Sequence, residues 1–275
     1  MKSSFYQRLS ARWKKAESLV CVGIDPISSK LPTIISDEKD SFFQFGKAVV
    51  EACAEYVCAF KPQFAHFAAE GRESELERLI EFIKLSYPDI PVVLDAKRGD
   101  IGSTADLYAA EAFKRYAADA VTVNPYLGFD SVDPFLEYAD KGVILLCRTS
   151  NPSAIWIQDA ESQGEKVFLK IARKAKERNV DGQIALVTGA TYPEDLGLVR
   201  AIVQDMPLLV PGIGAQGGDL NAVLHNGLDS QKTGLLISSS REIIYASRGS
   251  DFPEAASLAA EELRNKINKN RYLDN

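Results

Sequence analysis

The sequence contains few of the residues from which metal sites and histidine-based catalytic triads are built. Its 275 residues include four cysteines and two histidines. The cysteines show no C-x-x-C spacing, and three of them lie in apolar runs, which is typical of buried thiols in a reducing cytosol. His66 and His225 are too few for a histidine-based metal site or a Ser-His-Asp triad. The composition therefore predicts no metal site.

Long apolar segments and an excess of basic residues are also missing. No apolar stretch is long enough to span a bilayer, and the N-terminus lacks the apolar core of a signal peptide. Lys and Arg number 32 against 38 Asp and Glu, a formal charge of -6 that repels nucleic acid and anionic membranes. We therefore expect a cytoplasmic protein that binds neither, and an anionic ligand would need a local basic site.

The apolar residues that are present recur in short runs rich in Val, Ile and Leu. Eight such runs follow one another: "SLVCVGID", "YVCAFKPQ", "IPVVLDAK", "AVTVNP", "GVILLCRTS", "QIALVTGA", "PLLVPGIG" and "GLLISSS". Segments of helical periodicity lie between them, which predicts parallel strands joined by crossover helices. Runs that are apolar throughout indicate strands covered on both faces.

Eight strand and helix units in one chain favour a (β/α)8 TIM barrel over an open doubly wound sheet. The open sheet would need an early G-x-G-x-x-G turn, and "CVGIDP" is not one. We predict a single domain over residues 1–275, in which 1–17 form a leading helix packed on the barrel. The segment "FYQRLSARWKKAES" would also suit a transit peptide, but a strand follows it at once. The longest connection, "SNPSAIWIQDAESQGEK", is a candidate lid.

Polar side chains end most of the strand candidates, where the active site of such a barrel lies. The first run ends at Asp25, the second at Lys61 and the third at Asp95 and Lys97, with Asp100 just beyond. Asp95 and Lys97 are two residues apart and so share one face of an extended segment. With Lys61 and Asp100 they would form an alternating array in which opposite charges keep one another ionised. Each of these residues also has a purely structural explanation. Asp95, Lys97 and Asp100 could form an ion-pair cluster at the barrel rim. Lys61 could extend along its strand end to solvent, and Asp25 could form a turn with Pro26.

A second group of residues follows the last two strand candidates. "VPGIGAQGGD" and "SSSRE" lie on the two loops that commonly form a phosphate site in these barrels. Gly212 and Gly214 let backbone N–H groups approach an anion, Gln216 can donate a hydrogen bond, and Arg241 supplies a planar cationic group. We favour a phosphate site here over a pair of tight turns beside a surface arginine.

With these motifs in place, the chain resembles the orotidine 5'-phosphate decarboxylase family, in particular its longer bacterial subgroup. The resemblance rests on "VGIDP", "FKPQFAHFAAEG", "LDAKRGDIGSTA", "RTSNPSA", "VTGATYPEDL", "VPGIGAQGGD" and "SSSR". It implies a charged array of Lys61, Asp95, Lys97 and Asp100 with Lys97 as proton donor, a ribose contact at Asp25, a pyrimidine contact at Ser150, and phosphate contacts at Gln216 and Arg241.

The resemblance also implies an activity and an assembly. The activity is decarboxylation of orotidine 5'-monophosphate to uridine 5'-monophosphate and CO2 without a cofactor, the last step of de novo pyrimidine biosynthesis. The assembly is a homodimer in which Asp100, Ile101 and Thr104 reach into the partner's site. Ser240 stands where many family members have Gly before the phosphate-binding arginine, and "GAQGGD" is compact for a phosphate-gripping loop.

Three other functions remain open from the sequence. A related D-x-K-x-x-D barrel acting on a sugar phosphate would need a divalent metal and a carboxylate to hold it, and Lys61 suits that chemistry poorly. A Schiff-base aldolase needs a neutral amine, whereas carboxylates on both sides of Lys97 favour the ammonium form. A catalytically silent nucleotide-binding barrel has little use for two aspartates facing an anionic ligand.

Overall fold

The computed structural model describes residues 3–36, 39–213 and 217–272. Each of the eight apolar runs contains one strand. In chain order the strands are β1 (Val20–Ile24), β2 (Ala59–Pro62), β3 (Val93–Arg98), β4 (Ala120–Val123), β5 (Gly142–Arg148), β6 (Ile184–Thr188), β7 (Leu208–Pro211) and β8 (Leu235–Ser239). β1, β2, β4, β6 and β8 are buried along their whole length, as expected of parallel strands covered on both faces.

The eight strands form one parallel sheet in the order β2-β1-β8-β7-β6-β5-β4-β3. The two outer strands of that order, β2 and β3, meet through two isolated parallel bridges, Phe60 with Val92 and Gln63 with Asp95. These bridges close the sheet on itself. The predicted (β/α)8 barrel is therefore confirmed, and its β2–β3 seam is joined by isolated bridges and not by a continuous ladder.

Helices run between the strands and cover the outside of the barrel. The longer ones are α1 (Phe5–Ala16), α2 (Ser41–Cys53), α3 (Glu73–Ser86), α4 (Gly102–Ala110), α5 (Val167–Arg178), α6 (Pro193–Val203), α7 (Leu220–Gly227) and α8 (Phe252–Arg271). Short helices span Thr33–Ser36, Phe64–Ala68, Asp133–Leu136, Ile155–Gln158 and Arg241–Ile244. A π-helical turn, Glu111–Arg115, extends α4, and α8 packs on α2.

The leading helix α1 lies across the N-terminal end of the barrel. A capping box starts it, because Ser4 Oγ accepts from Gln7 N and Gln7 Oε1 accepts from Ser4 N. Phe5, Leu9 and Trp13 are buried in the core. Phe5 packs so closely on the start of β5 that a Cβ on Gly142 would lie 2.4 Å from Phe5 Cδ1. The organisation of 1–275 as one domain stays a prediction.

The cysteines agree with the expectation from their positions in the sequence. All four cysteines are buried and free, and burial raises the pKa of Cys21 and of Cys53 to about 12. These thiols are therefore protonated at neutral pH and act as small apolar groups. Within the part of the chain that the structure describes, no helix combines the length and apolarity needed to cross a bilayer.

Candidate active site

Three charged side chains form a continuous array at the C-terminal ends of β2 and β3. Lys61 Nζ lies 2.9 Å from Asp95 Oδ2, and Lys97 Nζ lies 2.6 Å from Asp95 Oδ1. Lys61 and Asp95 are each 6% exposed, whereas the Lys97 side chain is 47% exposed. Asp95 therefore bridges a buried ammonium group and an accessible one. Three of the four residues of the expected array come together in this way.

The array fixes the charge states of its two buried members. Burial alone would lower the pKa of Lys61, but Asp95 and Asp25 outweigh it, and the pKa lies above the usual lysine value. Burial alone would raise the pKa of Asp95, but Lys61 and Lys97 outweigh it, and the pKa lies well below the usual aspartate value. Both groups are therefore ionised at neutral pH, because each supplies the countercharge of the other.

Thr122, a residue of β4 whose side chain hydrogen-bonds to β3, was not identified from the sequence. It is 1% exposed, and its Oγ1 donates to Asp95 Oδ1 at 2.9 Å. Together with the two lysines, this hydroxyl gives the Asp95 carboxylate three donors. A threonine within the apolar run "AVTVNP" carries no signal of such a contact, since threonine is an ordinary strand residue.

Two cavities meet at the charged array. The larger, of about 820 Å3, extends from Lys97 to Ser150 and the loop after β5. The smaller, of about 180 Å3, extends toward Asp25 and Arg241. Both are lined by Lys61, Asp95 and Pro211. The two cavities thus form one elongated site with the charged array at its middle, and their combined size suits a ligand of nucleotide dimensions.

The smaller cavity carries the glycine and the arginine expected to bind phosphate. Gly212 has φ +100, a conformation open to glycine and costly for other residues. Gly218 N donates to Gly212 O at 3.1 Å, so these two glycines lie close together. Arg241 is exposed and begins the short helix after β8. Gly214 and Gln216, the other expected phosphate contacts, lie outside the described residues.

Asp25 lies at the wall of the same cavity, on a turn that two residues outside the predicted site hold in place. Tyr245 Oη donates to Asp25 O at 3.1 Å and accepts from Ile27 N at 2.8 Å. His66 Nδ1 lies 2.9 Å from Pro26 O, so this nitrogen carries the proton. Asp25 Oδ1 is buried and has no hydrogen-bond partner among the described residues. It is therefore free to accept from a ligand.

The side chain of Ser240 fits beside Asp25 because a neighbouring strand residue, Gly23, has no side chain. A Cβ added to Gly23 would lie 2.8 Å from Ser240 Cβ and 3.5 Å from Asp25 Oδ1. Ser240 Oγ is also buried without a partner among the described residues. Gly23 therefore provides the space in which Asp25 and Ser240 approach the cavity together.

Ser150 belongs to a loop that a buried arginine holds at its base. Arg148 is 1% exposed, donates to Asp195 Oδ2 at 2.8 Å, and stacks 3.8 Å from the centre of the Tyr192 ring. The loop is closed by Gln158, whose Oε1 accepts from Thr149 N at 2.9 Å. The candidate lid thus includes a short helix, Ile155–Gln158, followed by a hairpin of Glu161–Ser162 and Glu165–Lys166.

The remaining expected residues, Asp100, Ile101 and Thr104, lie at the start of α4. Asp100 Oδ1 accepts from Ile101 N at 2.8 Å, and among the described residues Asp100 forms no ion pair. Ile101 and Thr104 are exposed. None of the three lines either cavity within the described part of this chain. A single chain therefore does not bring them to the array.

A family model described as "Orotidine 5'-phosphate decarboxylase / HUMPS family" matches residues 18–252. The chain belongs to this family. Two curated proteins named orotidine 5'-phosphate decarboxylase are similar to nearly all of it. The protein from Ralstonia pickettii (strain 12J) is 52% identical over 97% of this chain and 99% of its own length. The protein from Dechloromonas aromatica (strain RCB) is 54% identical over 96% and 98%.

Solved structures of the decarboxylase family share the fold. The OMP decarboxylase of Leishmania donovani superposes with a TM-score of 0.85 at 38% identity, over 98% of this chain and 99% of that chain. The UMP synthase of the same organism gives 0.88 at 39% identity, over 99% of this chain but 57% of that chain. This family member therefore matches a whole decarboxylase and about half of the larger synthase.

Proposed function

We propose that this protein is a carboxy-lyase that converts orotidine 5'-monophosphate to uridine 5'-monophosphate and CO2 without a cofactor, the last step of de novo pyrimidine biosynthesis. The observation that carries the proposal is the Lys61–Asp95–Lys97 array at the junction of two cavities. The names of the curated relatives, which are similar over the full length of the chain, support it.

The elongated site suggests how such a substrate lies. We place the phosphate in the smaller cavity, where Gly212 and Arg241 offer backbone N–H groups and a guanidinium group. Gln216 would contribute a further donor. The ribose would lie against Asp25, whose unpartnered Oδ1 accepts from a hydroxyl. The pyrimidine would then extend past the charged array to Ser150 in the larger cavity.

The chemistry follows from the position of Lys97 beside this array. Cleavage of the bond from C6 to the carboxyl carbon releases CO2 and leaves an electron pair on C6 that the ring does not delocalise. The Lys97 ammonium group, held near Asp95 Oδ1, offsets the developing negative charge. It then transfers its proton to C6, and the neutral amine regains a proton from water. Asp95 and Lys61 keep the array charged through the cycle.

We further propose a cytoplasmic homodimer with active sites shared across the interface. Asp100, Ile101 and Thr104 follow β3 closely in the chain but line neither cavity within the described part of it, as expected if they contribute to the site of a second copy. Large apolar side chains are exposed in the same region, at Ile101, Leu107 and Tyr126. Four buried free thiols suit the reducing cytosol.

Mixing two inactive variants tests the shared site. Lys97→Ala and Asp100→Ala are each expected to inactivate the protein. A hybrid dimer would restore one site out of two, so random reassortment yields about a quarter of wild-type activity. Mixing each variant with itself after the same dissociation step is the control. No recovery in hybrids that size-exclusion chromatography with light scattering shows to be dimers would contradict sharing.

The competing function is a metal-dependent reaction on a sugar phosphate. Among the described residues, no group of three or more His, Cys, Asp or Glu could hold a metal ion. The direct test is ultraviolet-monitored turnover of orotidine 5'-monophosphate with and without EDTA. We expect uridine 5'-monophosphate as product at equal rates under both conditions. Turnover that EDTA abolishes would favour the metal-dependent reaction, and nucleotide binding without turnover would favour a silent barrel.

A substitution at Lys97 tests the mechanism itself. Lys97→Met is expected to abolish turnover, because Lys61, the other lysine that contacts Asp95, is buried. Product binding measured by calorimetry should persist through the phosphate contacts. Lys174→Met, which removes an exposed lysine on α5, is the control and should leave turnover unchanged. Substantial decarboxylation by Lys97→Met would reject Lys97 as the proton donor.

A further inference from the structure

β3 departs from regular pairing at the residues that carry the charged array. Leu94 pairs with Val121 and Arg98 pairs with Val123. Three residues therefore lie between the paired positions on β3, against one on β4. The segment from Asp95 to Lys97 lies opposite Thr122 alone, as a bulge in the ladder. The backbone N–H groups of Ala96 and Lys97 need partners outside the regular pairing.

The Thr122 hydroxyl supplies those partners. It accepts from Ala96 N at 3.0 Å and from Lys97 N at 2.9 Å. A hydroxyl has two acceptor positions and one proton. With both acceptor positions occupied, its proton is directed to Asp95 Oδ1, 2.9 Å away. One hydroxyl therefore binds the carboxylate and the backbone of the bulge at once, and its hydrogen-bonding capacity is fully used.

The bulge determines where the Lys97 side chain points. Lys97 has φ +47, in the left-handed region that residues with side chains rarely adopt. Such a conformation persists where its surroundings enforce it. The hydrogen bond from Lys97 N to Thr122 Oγ1 is the contact that fixes this residue to β4. From there the ammonium group reaches Asp95 Oδ1 at 2.6 Å.

We propose that Thr122 is a positioning residue that shapes the bulge of β3 and thereby holds the Lys97 ammonium group next to the Asp95 carboxylate. The catalytic part of this proposal rests on the proposed decarboxylase activity. Thr122 acts through its hydroxyl and not through its bulk. Thr122→Val, which matches the shape and lacks the hydroxyl, separates the two.

Amide hydrogen exchange tests the role without any reaction. Thr122→Val is expected to speed exchange at Ala96 N and Lys97 N by about tenfold or more, because both lose their acceptor. Thr122→Ser keeps the hydroxyl and should protect both amides. Thr188→Val is the matched control, because Thr188 is buried on β6 and its Oγ1 has no hydrogen-bond partner among the described residues. Thermal unfolding would establish that all three variants are folded.

Kinetics test the consequence for the array. We expect Thr122→Val to lower kcat by roughly ten- to a hundredfold, the loss that follows from one hydrogen bond to a charged group. The affinity for uridine 5'-monophosphate should change by less than about threefold, because no described residue of β4 lines the smaller cavity in which we place the phosphate. Thr122→Ser should retain most of kcat, and Thr188→Val all of it.

The two readouts keep the two proposals apart. Failure of the wild-type protein to act on orotidine 5'-monophosphate would reject the proposed function, and the exchange of Ala96 N and Lys97 N would still decide the role of Thr122. Unchanged exchange in Thr122→Val would overturn the positioning role. So would a Thr122→Ser variant as impaired in kcat as Thr122→Val, because bulk would then matter and the hydroxyl would not.

Discussion

Replacing Lys61, the cation of the buried ion pair with Asp95, is expected to lower the free energy of unfolding substantially. In Lys61→Met the side chain keeps its approximate length, but Asp95 loses the donor 2.9 Å from Oδ2. Removing one partner of a buried pair typically costs about 3–5 kcal/mol, since the other charge stays buried. Asp95 keeps Lys97 and Thr122 as donors, so we expect about 3 kcal/mol, or roughly two decades in the unfolding equilibrium constant.

Urea unfolding at pH 7 measures this loss, and an exposed pair provides the control. Lys174 Nζ lies 2.9 Å from Glu177 Oε2, the same separation as in the buried pair, but both side chains are more than half exposed. Lys174→Met should cost less than about 1 kcal/mol. Equal losses in Lys61→Met and Lys174→Met would refute the reasoning, because burial would then have no effect.

The stability difference between wild type and Lys61→Met should also depend on pH, and the pKa of Asp95 determines the direction. The pKa of Asp95 is lower in the folded protein than the usual value, so its contribution to stability is present above the unfolded pKa of about 3.9. That contribution is lost as the pH falls toward the lower folded pKa. The difference in unfolding free energy between wild type and Lys61→Met should therefore be greatest above about pH 4 and become smaller below it. A difference that grows on acidification would contradict the assigned charges.

Three further changes have expected outcomes. Arg241→Ala should weaken binding of uridine 5'-monophosphate by about tenfold or more and leave binding of uridine nearly unchanged, as calorimetry would show; equal effects would place the phosphate elsewhere. Gly23→Ala should cost about 1–3 kcal/mol of unfolding free energy because the new Cβ would lie 2.8 Å from Ser240 Cβ, and Ser240→Gly should recover part of it; no recovery would reject that contact. Burial raises the pKa of Tyr245 to about 12 from 10.0, so stability should fall between about pH 10 and 12, and less so in Tyr245→Phe; identical pH profiles would reject the assignment.

The fold could be predicted from the sequence because its signal is repeated. Eight apolar runs separated by helical periodicity specify parallel strands with crossovers, and an error in one boundary leaves the count unchanged. The boundaries themselves differed at the strand ends. The first run, "SLVCVGID", contains five strand residues, Val20–Ile24. The polar residue at its end, Asp25, belongs to the turn that Tyr245 holds.

The charged members of the site could be anticipated because ionisable residues at strand ends contrast with the apolar runs before them. The residues that hold them in place carry no such contrast. Thr122 lies inside a strand, and Tyr245 follows a short helix 220 residues from the carbonyl it binds. Their roles depend on contacts across the barrel, and spacing along the chain contains no record of those contacts.

The closure of the barrel at the β2–β3 seam depends in part on the charged side chains of the candidate site. Backbone pairing there is limited to two isolated bridges, and the Lys61–Asp95 ion pair spans the same two strands. The charged groups of the proposed site thus also join the two strands at which the sheet closes. A descendant in which neutral residues replaced Lys61 and Asp95 would also lose the ion pair that joins β2 to β3. Replacement of the ion pair is therefore expected to lower both the proposed activity and the stability of the closed barrel, and a new activity is most accessible to sequences that keep the ion pair and alter the loops around it.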